Sequence, residues 1–514
     1  MRSVMYETHT FDDVLGEQLR RAPYLIASLA AHFLLCLMVM GILILKKEEV
    51  HAPPMLVAEA PPPPPEVEKM PEDPLDPVID PIDEPVVVET PLDQSDDQEL
   101  DTLADPNQSN AESPFDSEQW NNNPGLGGGA GGNAGGRGSG SGGRPSQSEK
   151  AVRNGLQWLA DHQDPNGYWD SDEFMHHDRY PDKPSSTDGG NPVNDVGLSG
   201  LALLAFMGNG ETAQKGDYQQ NVGDGIQWLR DVQRDDGLFG DEVGNPTLYN
   251  HAIATMVMGE AYRSSNQSLI LKPNMKDALR VIHKARNDYG AWRYDLEANG
   301  DNDSSITGWM VFALKTAEDN DLAVDHGAYA GADNWFASIE DKNTARTGYA
   351  WGANGGGVGS GSSRPPEYVE KFPAQKSEAL TAVALLSRIF MTDSKEVKRW
   401  KDHPQYDLMK RQADLIASKP PRWDENDGSI DMYYWYYGTY ALNQWGGSHW
   451  KSWKKAIEHA LIPNQRLEDK EDNFYGSWDP VGPWGQEGGR VYSTAIGTLI
   501  LEVYYRYAHV LGAR

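Results

Sequence analysis

The 514-residue chain has a single cysteine, Cys36, and it falls inside an apolar run. A disulfide framework, a thiolate zinc site and a catalytic cysteine are therefore all excluded from everything downstream. Basic residues are also scarce, 45 Lys and Arg against 77 Asp and Glu, with no cluster of the kind a nucleic-acid surface needs. Strand-like alternation is missing too, and only one apolar run is long enough to cross a bilayer. The formal charge of -32 is unevenly spread: about twenty acidic residues fall between Lys47 and Trp120, leaving the remainder only mildly acidic.

What is present divides the chain into four expected parts. Residues 1–22 form a short N-terminal segment and residues 23–46 a transmembrane helix, because Tyr24 to Leu45 supplies about 22 mostly apolar residues where ~20 are needed to span hydrocarbon. No small-residue cleavage site follows, so the run is read as a retained anchor. Residues 47–146 are expected to be a disordered linker, acidic and proline-rich from Pro61 to Pro85 and then glycine-rich from Gly125 to Gly143. Its proline-rich portion could reach on the order of 100 Å in extended geometry. Arg20 and Arg21 balance Lys46 and Lys47 across the run, so orientation rests on the bulk that follows. That bulk favours a cytoplasmic N-terminus with the body exported to the periplasm or cell envelope.

Within the apolar run, Ser28 and His32 lie at i and i+4, on one helical face. A titratable group at membrane depth is costly and by default invites a functional explanation. The pattern Ser28-Leu29-Ala30-Ala31-His32, followed by proline-rich sequence, resembles the anchor of TonB-type energy transducers. That resemblance implies a proton-channel partner; a histidine merely tolerated in a lone anchor is the alternative.

Residues 147–514 change to Trp, Tyr, Ala and Leu with helical periodicity and an internal repeat. One half of each repeat is amphipathic and ends in a glycine-aromatic turn: Trp158 with Gln163, Gly167 and Trp169, then Trp228 with Gln233, Gly237 and Phe239. Weaker copies follow at Ala278 to Trp292, Gly331 to Trp351, Asp407 to Ile416 and Ala456 to Trp478. The other half is apolar all round: Val196 to Phe206, Asn250 to Tyr262, Ser304 to Lys315, Ser377 to Arg388, Met432 to Leu442 and Val491 to Tyr504. Such pairs cannot bury a core singly, so the prediction is an all-α fold in which six hairpins close with the apolar helices inside.

The glutamine-tryptophan and glycine-aromatic turns resemble those of squalene-hopene cyclases and protein prenyltransferase β-subunits. Asp303 to Leu314 and Gly488 to Tyr505 are similar to the inner helices of prenyltransferase/squalene-oxidase-repeat proteins. The resemblance implies an (α/α)6 toroid with a cavity at one mouth. It also matches Asp303 with the proton donor of class II terpene cyclases and Asp301 with the first acid of their motif, while Ser304 replaces the last. An N-cap role for Asp303 or Ser304 competes with that chemistry. The Asp-Cys-His zinc site of the prenyltransferases has no counterpart, and no metal or cofactor is expected.

Toroids of this kind also carry glycan-active hydrolases and lyases, which need aromatic platforms beside carboxylates. Convergence of the inner-helix starts on one mouth would bring Asp195, His251, Glu378, Tyr434, Trp435, Arg490 and Tyr492 round a small-molecule, isoprenoid or glycan ligand. A ligand-binding or scaffold module is the expectation, with an enzyme as the alternative; the acids Asp424 to Asp427 are read as a turn.

Overall fold

In the computed structural model of the protein, residues 146–288, 290–351, 358–359, 366–393, 395–506 and 510 are described. They belong to one compact unit, and a second unit, Met1–Pro91, lies outside them, as do the expected anchor and linker with Ser28 and His32. Among the described residues no helix is long and apolar enough to cross a membrane.

Helices alternate in the expected way. In chain order they are α1 (Gln147–Asp161), α2 (Asp195–Gly208), α3 (Gln219–Asp231), α4 (Pro246–Ser264), α5 (Lys272–Ala285), α6 (Ser304–Glu318) and α7 (Gly327–Ile339). A two-residue strand pair, β1 (Ala350–Trp351) with β2 (Val358–Gly359), and the short α8 (Pro366–Lys371) come next. The series ends with α9 (Ala379–Met391), α10 (Tyr406–Ala417), α11 (Met432–Trp445), α12 (Gly447–Leu461) and α13 (Gly485–Arg506).

Six of these close a ring. Helix α2 packs on α4, α4 on α6, α6 on α9, α9 on α11 and α11 on α13, and α13 returns to α2. The amphipathic α1, α3, α5, α7, α10 and α12 pack outside, against the inner helices. Burial follows the sequence pattern: α2 is buried continuously from Gly197 to Gly208, whereas α3 buries only Val222, Gly225, Ile226 and Leu229. A helix enclosed by two neighbours and an outer partner has no face left for polar residues.

The repeat turn makes the joints. Gln163 donates from Nε2 to Gly167 O (2.7 Å) within its own turn and to Asn221 O (3.0 Å) on the next outer helix. Gln233 does the same to Gly237 O and Asn274 O, both at 3.0 Å. Gln465 completes the circle, donating to Gly476 O and to Ala151 O of α1, both at 2.8 Å. The last repeat thus joins the first by the same bonds that link the first to the second and the second to the third. Glycine is required in these turns: Gly167, Gly237 and Gly476 have φ of 101°, 95° and 97°. A Cβ at Gly476 would lie 2.3 Å from Asn154 O. An L side chain there would meet both left-handed strain and a backbone clash.

The middle of the ring is filled. Trp309 and Phe312 of α6 reach across to Tyr437 of α11, with centroids 5.5 and 5.4 Å apart, and Phe390 of α9 meets Phe312 at 5.1 Å. Pairs of this geometry contribute about 0.5–1.5 kcal/mol each beyond the area they bury. The connectors that run from outer to inner helices lie at one end of the ring, and there a cavity remains open.

Candidate functional site

The cavity has a volume of about 780 Å³. Its wall comes from the starts of all six inner helices and the connectors before them, including Asn191 to Asn194, Asn245 to Tyr249, Ser305, Ser377 to Thr381, Tyr433 and Trp484 to Glu487. Five half-buried tyrosines, Tyr249, Tyr294, Tyr349, Tyr368 and Tyr433, and Trp484 dominate it. Tyr433 stands edge-on to Trp484 at 6.2 Å between centroids, and its hydroxyl is 2.8 Å from that of Ser305. Tyr249 and Tyr294 are 6.3 Å apart, and the hydroxyls of Tyr294 and Tyr349 touch.

Local structure fixes these rings. The indole of Trp292 donates to Ile282 O (2.8 Å), which pins the turn carrying Tyr294 to α5. Ser304 holds Tyr349 against the start of α6, since its N–H donates to Tyr349 O (2.9 Å) and its hydroxyl to Gly348 O (2.7 Å). Tyr433 is the second residue of α11, whose start is capped by Asp431 accepting the Tyr434 N–H at 3.0 Å.

Asp303 lies behind this layer and is fully buried. Its Oδ1 accepts the Ile306 N–H at 2.9 Å, the geometry of an N-cap, while Oδ2 has no partner at hydrogen-bonding geometry among the described residues. Burial pushes the carboxyl up to about 6, an effect tempered by the Ile306 N–H and by the nearby hydroxyls of Tyr294 and Tyr349. Asp301 is exposed and ion-paired with Arg293. The two acids of the resemblance therefore have separate surroundings, and neither forms part of the cavity wall.

Of the seven residues expected at the mouth, Glu378 lines the cavity. Its carboxylate is gripped by Arg346, Lys419 and the Thr381 hydroxyl, the last at 3.2 Å. His251 is wholly buried: Nδ1 accepts the Phe239 N–H (3.2 Å) and Nε2 faces Ala278 O (3.0 Å), which requires the neutral ring. Burial lowers its pKa to about 4. Tyr434 donates to Ile416 O (2.9 Å) and Lys419 O (3.0 Å), and Trp435 tilts against Trp423. Arg490 is a buried clamp over Phe474, bound to Asp188 at 2.5 Å and Asp479 at 2.6 Å. Tyr492 has no hydrogen-bond partner for its hydroxyl among the described residues. Asp195, first residue of α2, accepts the Ser171 N–H at 2.9 Å beside Asp170 and Asp172 and is not in the cavity wall.

The sequence did carry a signal for the tyrosines it left unnamed. Tyr433 belongs to the run Met432 to Tyr437, but an all-apolar helix has no moment to say which of its rings turns to the mouth. Tyr294 and Tyr349 follow the glycine-aromatic turns, on connectors without periodicity.

The fold defines the class of molecule: a closed α/α toroid with an open aromatic mouth. No protein-family model matches the chain, and no match was found among curated proteins. Similar solved structures include an inactive variant of an alpha-1,6-mannanase of Salegentibacter in complex with alpha-1,6-mannotriose, 9% identical over 70% of this chain and 99% of that one, TM-score 0.47. A family 76 glycoside hydrolase from a bovine Bacteroides thetaiotaomicron strain is 10% identical over 70% and 78%, TM-score 0.47. A type II terpene cyclase from Scytonema in complex with geranylgeranyl dihydroxybenzoate is 10% identical over 70% and 97%, TM-score 0.42. At this distance no ligand or reaction transfers, and nothing here supports membership of the prenyltransferase/squalene-oxidase-repeat family or a TonB-type anchor. The toroid stands on its own ring of contacts.

Proposed function

We propose that the toroid is a binding module for a neutral carbohydrate chain held in its mouth. The observation that carries this is the composition of the wall: Tyr249, Tyr294, Tyr349, Tyr433 and Trp484 beside the amides Asn245, Gln375 and Gln486. A sugar ring has an apolar face that covers an aromatic ring and an edge of hydroxyls that amides and carboxylates can bind. Charge narrows the choice. Glu378 is held by Arg346 in the wall and Lys419 behind it, which leaves Asp431 and Glu487 to set the sign of the remaining charge. Diphosphates and uronates would meet a net negative wall, so isoprenoid diphosphates and acidic glycans are disfavoured. The open mouth argues against a purely structural ring.

Calorimetric titration of the detergent-solubilised full-length protein with neutral oligosaccharides, a uronate oligosaccharide and geranylgeranyl diphosphate tests the proposal. Neutral chains should bind, and Trp484→Ala should weaken them at least tenfold, the loss of about 1.4 kcal/mol. Binding confined to the uronate or the diphosphate would overturn it, and release of new reducing ends would make the module a hydrolase.

We further infer, from the run Tyr24 to Leu45 alone, that a single-pass anchor displays this body in the envelope with Ser28 and His32 facing a proton-channel partner. Protection of the toroid from protease in intact spheroplasts would contradict the orientation, and unchanged partner recovery after His32→Ala would contradict the partner.

A further inference from the structure

A second cavity lies on the outer face of the ring, between α5 and the connector from α6 to α7, with a volume of about 590 Å³. Leu279, Leu322 and Ala323 form its apolar floor. Lys276, Arg280 and Lys284 stand beside them, four residues apart and so in a row on one helical face. No carboxylate lines this cavity, in a chain whose acids outnumber its bases by 77 to 45. Arg280 pairs with Asp277 at 2.8 Å and Lys284 with Glu297 at 3.1 Å, both in the open, and Lys276 has no ion pair among the described residues. Asp325 nearby is taken up by Arg286 at 2.8 Å. Exposed pairs of this kind are weak and exchange partners at little cost.

The same helix is headed by an apolar tip. Leu269 and Ile270, just before α5, are 81% and 66% exposed, more than any other large hydrophobic side chain among the described residues. Tip, floor and cations together form a surface complementary to a chain that is both apolar and acidic.

We propose that this face binds the stretch Leu92 to Trp120 of the same chain, which lies outside the described residues. Its sequence holds nine Asp and Glu and no Lys or Arg, with Leu100, Leu103 and Phe115 among them. In Glu99-Leu100-Asp101-Thr102-Leu103-Ala104-Asp105, four charged or apolar anchors alternate closely enough to meet the cations and the floor together. Length fits as well. Residues 121–145, twelve of them glycine, join the stretch to α1, and a glycine-rich chain of forty residues spans about 35 Å root-mean-square. Helix α5 is the second outer helix round the ring from α1, on the order of 20–30 Å away for helices about 10–12 Å across. A ligand attached at that reach acts at an effective concentration in the millimolar range, which favours it over an acidic segment arriving from solution.

Paired cysteines test this in the detergent-solubilised full-length chain, whatever the mouth binds, with Cys36→Ser removing the native thiol. Ala104→Cys marks the acidic stretch and Ala323→Cys the cavity rim, while Ser452→Cys marks the exposed side of α12. Helix α12 touches the start of α1 through the Ser148 bond to Glu458, so reach alone would favour Ser452→Cys. Within one chain, a short bis-maleimide should nevertheless join Ala104→Cys to Ala323→Cys about tenfold faster than to Ser452→Cys. The preference should disappear in about 1 M salt, where the screening length shrinks to about 3 Å. Lys276→Glu with Lys284→Glu, or Leu100→Ser with Leu103→Ser, should each slow the favoured crosslink about fivefold; the second pair alters no described residue, so misfolding of the toroid cannot account for it. Equal rates to the two cysteines, or a preference that survives both double substitutions, would overturn the proposal. Crosslinks formed only between chains would overturn it in favour of a second copy. No preference, together with binding of phosphatidylglycerol micelles that Lys276→Glu abolishes, would overturn it in favour of a lipid surface.

Discussion

Replacing Gln465 by alanine cuts the joint between the last repeat and the first. The amide is buried and gives Nε2 to two backbone carbonyls, Ala151 O and Gly476 O. Each bond contributes about 1 kcal/mol net, and a buried carbonyl left without a donor costs about 1–3 kcal/mol, so the loss should be about 2–4 kcal/mol. It is partly offset because the Oε1 of Gln465, itself without a partner, is removed as well. Gln233→Ala is the internal comparison: it deletes the equivalent two bonds and a third, the donation of Asn274 Nδ2 to its Oε1 at 2.6 Å, but at a joint that is only part-buried, where water can substitute for all three, and should cost about 1–2 kcal/mol. Urea unfolding of the detergent-solubilised full-length chain, followed by tryptophan fluorescence, measures both. The midpoint should fall with the slope preserved, since the surface exposed on unfolding is unchanged. A Gln465→Ala midpoint within about 0.5 kcal/mol of wild type, or a larger loss in Gln233→Ala, would refute closure through this bond.

Two buried groups should titrate in opposite directions. Asp303 is raised from 3.8 to about 6, so between those values the folded protein keeps a proton the unfolded chain has released. Stability falls as pH rises through that window, by about 3 kcal/mol in order of magnitude. His251 is lowered from 6.5 to about 4, so the unfolded chain binds the extra proton and stability rises with pH between about 4 and 6.5 by a similar amount. Asp303→Asn keeps a good cap and should leave a profile that climbs more steeply from pH 4 to 6.5, seen in urea midpoints at stepped pH; a wild-type profile in the variant would be the failing result. His251→Asn should do the reverse, with a profile that declines over the same range, and an unaltered slope would count against the buried neutral ring.

The ring was legible because its signal repeats. Five of the six all-apolar stretches from Val196 to Phe206 through Val491 to Tyr504 fall within an inner helix and the other, Ser377 to Arg388, starts two residues before α9, while the paired turns at Gln163 and Gln233 make the joints between outer helices. The mouth was legible only in outline. Inner-helix starts do converge there, but which side chain at each start faces the cavity depends on helical phase, and an apolar cylinder does not disclose its phase. Tyr433 and its neighbour Tyr434 are chemically alike in the sequence, yet one meets Trp484 at the mouth and the other bonds Ile416 O on the outer layer. Charge pairing was hidden for a related reason: Glu378 and Arg346 are far apart in the chain, and Asp301 was matched to a motif without sight of Arg293.

The bond from Gln465 to Ala151 also bears on how such a molecule can vary. A stack of repeats with two ends can grow or shrink by a unit, provided its terminal units are shielded. A circle whose every joint is taken has no vacant end, and adding a hairpin would change the radius and empty the aromatic centre. Novelty is therefore confined to the connectors on one side, where the long stretch between α7 and α9 already contributes Arg346, Tyr349, Phe372 and Glu378 to the wall. Change in what the mouth accepts can accumulate there while the six-membered frame stays as it is.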